Sequence, residues 1–205
     1  FLASEIPPGT GLGSSSAVTV ALVKAVSAAC GWTMSKQEIA EEACHIELHK
    51  LGMPIGKQDQ YASAFGGINY IEFQADRVQV TPLSLSHDTW QRLQRSLMLF
   101  FTGSSRNSAE ILSKQSQSSK QDDAQVIAAL HSVKALTAEV KVCLEQGKLD
   151  AFGDLLDQNW QAKKRFAPGV SNERIDESYA QARACGASGG KITGAGGGGF
   201  LMLYC

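Results

Sequence analysis

An α+β fold, with hairpins and blocks of helix following one another, is predicted by three observations. Ile68 to Phe73 and Val78 to Val80 are short apolar runs turning near Ala75-Asp76, which reads as a hairpin. Helical periodicity fills Ser14 to Leu51 and almost all of Ser105 to Arg165. The last stretch, Gly186 to Cys205, reads as strand, glycine loop, strand. Regular alternation of strand and helix, the mark of a parallel sheet, is missing.

Taken in order, Phe1 to Ile6 reads as a strand already in progress, and Phe200 to Cys205 stops within another, so truncation is expected at both ends. Val18, Leu22, Val23 and Val26 recur at helical spacing between Ser14 and Cys30, with Gly31 just past the end. Ser35 and Glu38 form a capping box for a second helix, which runs to about Leu51 before Gly52-Met53-Pro54 breaks it. Leu97 to Phe101 is strand-like and ends at Thr102-Gly103. The long helical block carries a polar joint at Ser113 to Asp123 and a capped break near Gly147. A further helix, capped by Ser171 or Asn172, carries Ile175, Tyr179 and Ala182.

A composition of 43% apolar and 19% charged residues is that of an ordinary globular protein. The formal net charge of −1 supplies no basic field, which argues against nucleic acid or an anionic membrane as principal partner and for small molecules, with a homodimer left open. The five cysteines are scattered and form no C-x-x-C pair, as expected of a reducing compartment. No run approaches the roughly 18 apolar residues of a membrane span, and no signal-peptide series opens the chain, so a cytoplasmic protein is expected.

The strongest chemical signal is Pro7-Pro8-Gly9-Thr10-Gly11-Leu12-Gly13-Ser14-Ser15-Ser16, a glycine loop opening directly into a helix. Unpaired N–H groups and the positive end of the helix dipole converge there, and glycines let backbone approach an anion without a Cβ in the way. Read alone, such a loop is as readily a turn into a capped helix; the three serines tilt it toward phosphate. No lysine follows Gly13 as in a Walker loop, and the third glycine arrives too early for a dinucleotide fingerprint.

Pro7 to Ala17 resembles the second motif of the GHMP kinases, P-x-x-x-G-L-G-S-S-A-like, with one additional serine. Gly56-Lys57-Gln58-Asp59-Gln60-Tyr61 is similar to the family's G-x-x-D-Q segment, and Lys191-Ile192-Thr193-Gly194-Ala195-Gly196-Gly197-Gly198-Gly199 to its third motif. Within the superfamily the chain looks most like the D-glycero-D-manno-heptose 7-phosphate kinases, over Ile6 to Val20, Gly52 to Gly67, Phe101 to Arg106, Asn159 to Ser171 and Gly186 to Phe200. The usual first motif is absent, which points to a fragment.

The resemblance implies the GHMP architecture: an N-terminal part like domain 2 of ribosomal protein S5 and a ferredoxin-like C-terminal part, with the active cleft between them. The expected division is 1–88 and 89–205, with the boundary within Ser84 to Arg95. The implied reaction is ATP-dependent phosphorylation of the anomeric hydroxyl of heptose 7-phosphate. Its rivals are another sugar 1-kinase, fucokinase- or galactokinase-like, and a non-catalytic nucleotide- or sugar-phosphate-binding module.

By the same resemblance Pro8, Gly9, Gly11, Leu12, Gly13, Ser14, Ser15 and Ser16 hold ATP, and Ser15 with Glu47 holds Mg²⁺. Asp59 is the candidate base or aligning group for the attacking hydroxyl; on its own it reads as a helix N-terminal carboxylate, and its flanking residues favour the catalytic role. An anomeric hydroxyl is more acidic than an ordinary alcohol, so Asp59 can act mainly by alignment. Arg106 suits a bidentate grip on a substrate phosphate or, read blandly, is a surface arginine. Gly194, Gly196 and Gly197 border the substrate, although a glycine run alone would read as a linker. Lys163-Lys164-Arg165 reads as a charged helix face. His45-x-Glu47-x-His49 superficially resembles a zinc helix, but Glu47 falls about 200° round the helix from His45 and no third ligand is evident.

Overall fold

The computed structural model describes residues 6, 7, 9–104, 108–121 and 123–205, with nothing stated of the Ser108 side chain. The strand expected before Ile6 falls almost wholly outside them, as do Pro8 and Arg106. The described residues divide into two compact units, one of 6, 7 and 13–83, the other of 9–12 and 84–205 with the gaps just given.

In unit 1, α1 (Ser14–Ala29) starts at Gly13, whose φ of 69° places it in the left-handed region. Helix α2 (Lys36–Cys44) is held by the reciprocal capping box of Ser35 and Glu38 that the sequence announces. It passes into a π-helical turn, His45–Lys50, in which Leu51 N–H reaches back to Ile46 C=O at 2.9 Å. Helix α3 (Gln58–Phe65) follows, then the antiparallel pair β1 (Asn69–Phe73) and β2 (Val78–Pro82), registered Asn69 to Pro82 and Phe73 to Val78. Val20 and Val23 of α1 pack on Ile39 and Ala43 of α2. Tyr61 of α3 lies with Ala40 and Cys44, against which Ile71, Val78 and Val80 of the hairpin pack. Burial pushes the Cys44 thiol up to about 11, so it serves as a small apolar side chain.

Unit 2 runs α4 (His87–Ser96), β3 (Leu97–Phe101), α5 (Ser108–Lys120), α6 (Ala124–Glu145), a short 3₁₀ turn, α7 (Phe152–Lys163), α8 (Glu173–Ala184), β4 (Gly189–Ile192) and β5 (Phe200–Tyr204). The strands form an antiparallel sheet in the order β3-β5-β4. Its core gathers around the fully buried Trp160, with Phe166, Val170, Ile175, Tyr179, Ile192, Leu201 and Leu203. Helix α7 lies against β4 where two glycines meet: a Cβ on Gly189 would overlap the Gly153 backbone. Asn172, one of the two caps expected, accepts from Ile175 N–H at 3.0 Å and starts α8.

Two elements depart from the sequence reading. Helix α4 was not expected; its Ser86 cap accepts from Thr89 N–H at 3.1 Å, and Thr89 and Leu93 are buried on one side of it. The polar joint is mostly helix, since α5 continues to Lys120 and Ser119 Oγ donates to Gln115 C=O at 2.9 Å, so hydroxyls expected in a joint are satisfied within the helix. The break comes at residues 121–123, where Asp123 caps α6 through Gln125 and Val126 N–H. No helix among the described residues is long and apolar enough to cross a membrane.

Lys191 of β4 donates from Nζ to Asn159 Oδ1 of α7 at 2.7 Å, and burial lowers its amine from 10.5 to about 8. Between about pH 8 and 10.5 the unfolded chain still binds the proton that the folded chain has lost, so this group makes stability rise with pH; below about 8 both states are charged and the penalty is constant. Urea unfolding of Lys191→Met and the parent across pH 7 to 10.5 is therefore expected to give a stability difference that shifts steadily in the parent's favour above about pH 8. A difference that stays flat over that window would show that Lys191 does not titrate in this way.

Candidate functional site

In unit 1 the site is built from the start of α1, the π-helical turn and the first turn of α3. The first N–H groups of α1 have no intrahelical partner, and the first closed turn is Ala17 N–H to Gly13 C=O at 2.9 Å. From this end the three serines diverge. Ser15 Oγ donates to Glu47 Oε1 at 3.1 Å, and Ser16 Oγ, buried, donates to Glu47 Oε2 at 2.8 Å. One turn further on, Thr19 Oγ1 reaches the same Oε1 at 3.2 Å. Gln60 Nε2 completes the set with a short hydrogen bond to Oε2.

Glu47 is 0% exposed, whereas His45 and His49 are exposed with ring centroids 5.5 Å apart, so the π-helical turn sends the acid inward and the imidazoles outward. Among the described residues no lysine or arginine forms an ion pair with Glu47. Asp59 lies in the first turn of α3 with its side chain on the α-carbon of Gly13: a Cβ there would stand 3.3 Å from both Cβ and Cγ of Asp59.

These residues pass a physical test for a magnesium ion. An octahedral ion with ligands at about 2.1 Å sets neighbouring oxygens about 3 Å apart, and Ser15 Oγ and Glu47 Oε1 are separated by 3.1 Å. A rotatable hydroxyl and one carboxylate, with the remaining positions left to phosphate and water, is the donor set magnesium favours. The negative charge has no protein counter-ion among the described residues.

In unit 2, residues 9–12 lie on the second glycine run. Thr193 Oγ1 donates to Thr10 C=O at 3.3 Å, and Phe200 N–H reaches the same oxygen at 3.2 Å. Gly11 and Gly194 face each other so closely that a Cβ on Gly194 would sit 2.7 Å from the Gly11 α-carbon, and one on Gly11 2.6 Å from Thr193 C=O. Gly196 is pressed on Val170, whose C=O accepts from Gly197 N–H at 2.6 Å, and Gly199 N–H donates to Ser104 C=O at 2.8 Å. Lys163 Nζ donates to Gly194 C=O, and Lys164 pairs with Asp176 at 3.3 Å. The run is thus pinned from end to end, unlike a linker.

Of the residues read from sequence, Ser15, Ser16, Glu47, Gly13 and Asp59 come together in unit 1, and Gly11, Gly194, Gly196 and Gly197 lie in the packed loops of unit 2. Pro8 and Arg106 lie outside the described residues. Sequence reasoning gave no role to Thr10, Thr19, Gln60 or Thr193. Thr10, Gln60 and Thr193 stood inside the quoted motifs, whereas Thr19 had no signal.

Residues 1–67 match the family model described as the N-terminal domain of GHMP kinases, and residues 140–205 the one described as their C-terminal domain. The chain belongs to the GHMP kinases. It is 34% identical over 202 residues to D-glycero-alpha-D-manno-heptose 7-phosphate kinase of Campylobacter jejuni, covering 98% of this chain and 59% of that protein. It is 32% identical to the mevalonate kinase of Pyrococcus horikoshii, over 98% of this chain and 57% of that one. A crystal structure of a D-glycero-D-manno-heptose 1-phosphate kinase from Bacteriodes thetaiotaomicron superposes with a TM-score of 0.74 at 32% identity, over 98% of this chain and 55% of that chain. The chain therefore spans little more than half the length of these GHMP kinases, and its α+β architecture is theirs over that span.

A side chain at Gly13 would meet Asp59 directly. The Gly13 φ of 69° is left-handed and an added Cβ would stand 3.3 Å from Cβ and Cγ of Asp59, whereas Gly31, at φ 73°, has nothing within 4 Å of an added Cβ. Both Gly13→Ala and Gly31→Ala are expected to lose about 1–2 kcal/mol for the backbone alone, with Gly13→Ala losing measurably more in urea unfolding because Asp59 must shift. Equal losses would mean that Asp59 is not held against the loop.

Proposed function

We propose that this chain is the catalytic part of an ATP- and Mg²⁺-dependent sugar kinase that phosphorylates the anomeric hydroxyl of D-glycero-D-manno-heptose 7-phosphate to the 1,7-bisphosphate. The observation carrying the reading is the buried Glu47 carboxylate, which places one oxygen beside Ser15 Oγ at the opening of α1, with Asp59 against Gly13 one step earlier in the chain. The heptose assignment draws on the 34% identity to the Campylobacter jejuni heptose 7-phosphate kinase.

In this reading the backbone N–H groups of residues 9–16 receive the polyphosphate, since helix-start amides and bare glycine backbone favour an anion. Ser15 and Glu47 hold the magnesium ion, which when bound neutralises charge that develops on the β- and γ-phosphates. Asp59 orients the anomeric hydroxyl and takes its proton as the new bond from that oxygen to the γ-phosphorus forms. The bond from the γ-phosphorus to the bridging oxygen breaks, and ADP leaves with the electron pair. Gly194, Gly196 and Gly197 border the sugar, and Arg106 grips its 7-phosphate with paired donors. ATP and the sugar phosphate are the partners, in the cytoplasm.

Phosphorus NMR of the protein with ATP, Mg²⁺ and a panel of heptose 7-phosphate, fucose and galactose tests the reading. ADP and a new anomeric phosphate are expected with the phosphorylated heptose. Asp59→Asn is expected to lower kcat by about 10²–10⁴ while ATP still binds, and Arg106→Ala to impair turnover of phosphorylated sugars only. Better turnover of fucose or galactose would move the assignment to another sugar 1-kinase. Calorimetric ATP binding without ADP release would leave a binding module.

A further inference from the structure

Gln60 is fully buried beside the site, and neither anion binding nor proton transfer uses it. Its Nε2 donates to Glu47 Oε2, and the reversed amide would set oxygen against a carboxylate, so the partner fixes its orientation. The other end of the amide, Oε1, is buried with no hydrogen-bond partner among the described residues. Packing alone would be better served by a methionine or leucine, which strands no acceptor.

The two oxygens of Glu47 are also treated differently. Oε2 is held in the interior by Ser16 and Gln60. Oε1 meets the part-buried hydroxyls of Ser15 and Thr19. Hydroxyls turn freely and can release an oxygen to a ligand, whereas a buried amide donating to a carboxylate cannot turn without losing that bond.

We propose that Gln60 is a positioning residue that clamps Glu47 Oε2, so that Oε1 alone is presented to a divalent cation, while Gln60 Oε1 accepts from a water in that cation's shell. The proposal rests on the kinase reading of the same site. It adds that the carboxylate binds the ion through one oxygen and that the D-Q pair splits its work, Asp59 to the sugar hydroxyl and Gln60 to the metal.

Electron paramagnetic resonance of Mn²⁺, titrated into the protein with ADP present, reads the ion directly. Gln60→Met keeps the volume and removes the amide; Gln60→Asn keeps an amide too short to reach. Each is expected to weaken Mn²⁺ uptake by about tenfold or more. The Mg²⁺ concentration for half-maximal ATP turnover should rise in step, with KM for the sugar unchanged. Circular dichroism establishes that each variant is folded, and if the methionine variant is not, the asparagine variant carries the test. A folded variant whose Mn²⁺ affinity stays within about twofold of the parent, well inside the tenfold loss expected, overturns the positioning role and leaves the kinase reading intact. If the parent itself takes up no Mn²⁺ with ADP, both fall together.

Discussion

A carboxylate shut away from water costs several kcal/mol unless its oxygens are satisfied, and in unit 1 the whole arrangement of helices satisfies one. Glu47 draws three hydroxyls from α1 and one amide from α3, so the helix that opens at the glycine loop and the helix that carries Asp59 are tied through a single side chain. The acid is carried on the π-helical turn His45–Lys50, with Glu47 buried while His45 and His49 stay exposed. Such turns cluster at functional sites because they re-aim a side chain at some cost in regular hydrogen bonding.

In unit 2 the constraint is steric rather than electrostatic. Backbone meets backbone at Gly11 and Gly194, at Gly199 and Thr10, and at Gly196 and Val170, with no room for a β-carbon at any of the three. Glycine is usually the residue of freedom, yet here each one is fixed by a hydrogen bond or a close approach on either side. Ordering these glycines costs chain entropy, which the hydrogen bonds and close packing around residues 9–12 offset.

The parts of the fold legible in the sequence were those decided locally. The Ser35 box, the Asn172 cap, the hairpin turn and the glycine punctuation all act within a few residues, and each element they mark is present. Helix α4 went unread although Ser86 caps it locally, because its single turn-to-turn apolar pair is set among polar residues, and the polar joint misled because serines that favour turns can also bond back within a helix. At the site, motif spacing marked Glu47 and Asp59, but Thr19 and Gln60 act across separations of 28 and 13 residues to Glu47. No local pattern encodes such a pairing. It exists only once the chain segments carrying Thr19, Glu47 and Gln60 have been brought together.

Ser16 illustrates how far a motif match can be refined by geometry. In the P-x-x-x-G-L-G-S-S-A pattern its position is an alanine, and the sequence reading gives its hydroxyl no role beyond that of the loop as a whole. On a helix, however, neighbours stand about 100° apart, so Ser15 and Thr19 share one row and meet Oε1, while Ser16 lies on the next row and meets Oε2. The carboxylate straddles the two rows. An alanine at 16 would leave Oε2 to Gln60 alone, since Ser16 Oγ and Gln60 Nε2 are the two donors that meet it among the described residues. Ser15 and Ser16 are therefore unlike positions, and Ser15 is the one that pairs a part-buried hydroxyl with the oxygen of Glu47 that Gln60 leaves unheld.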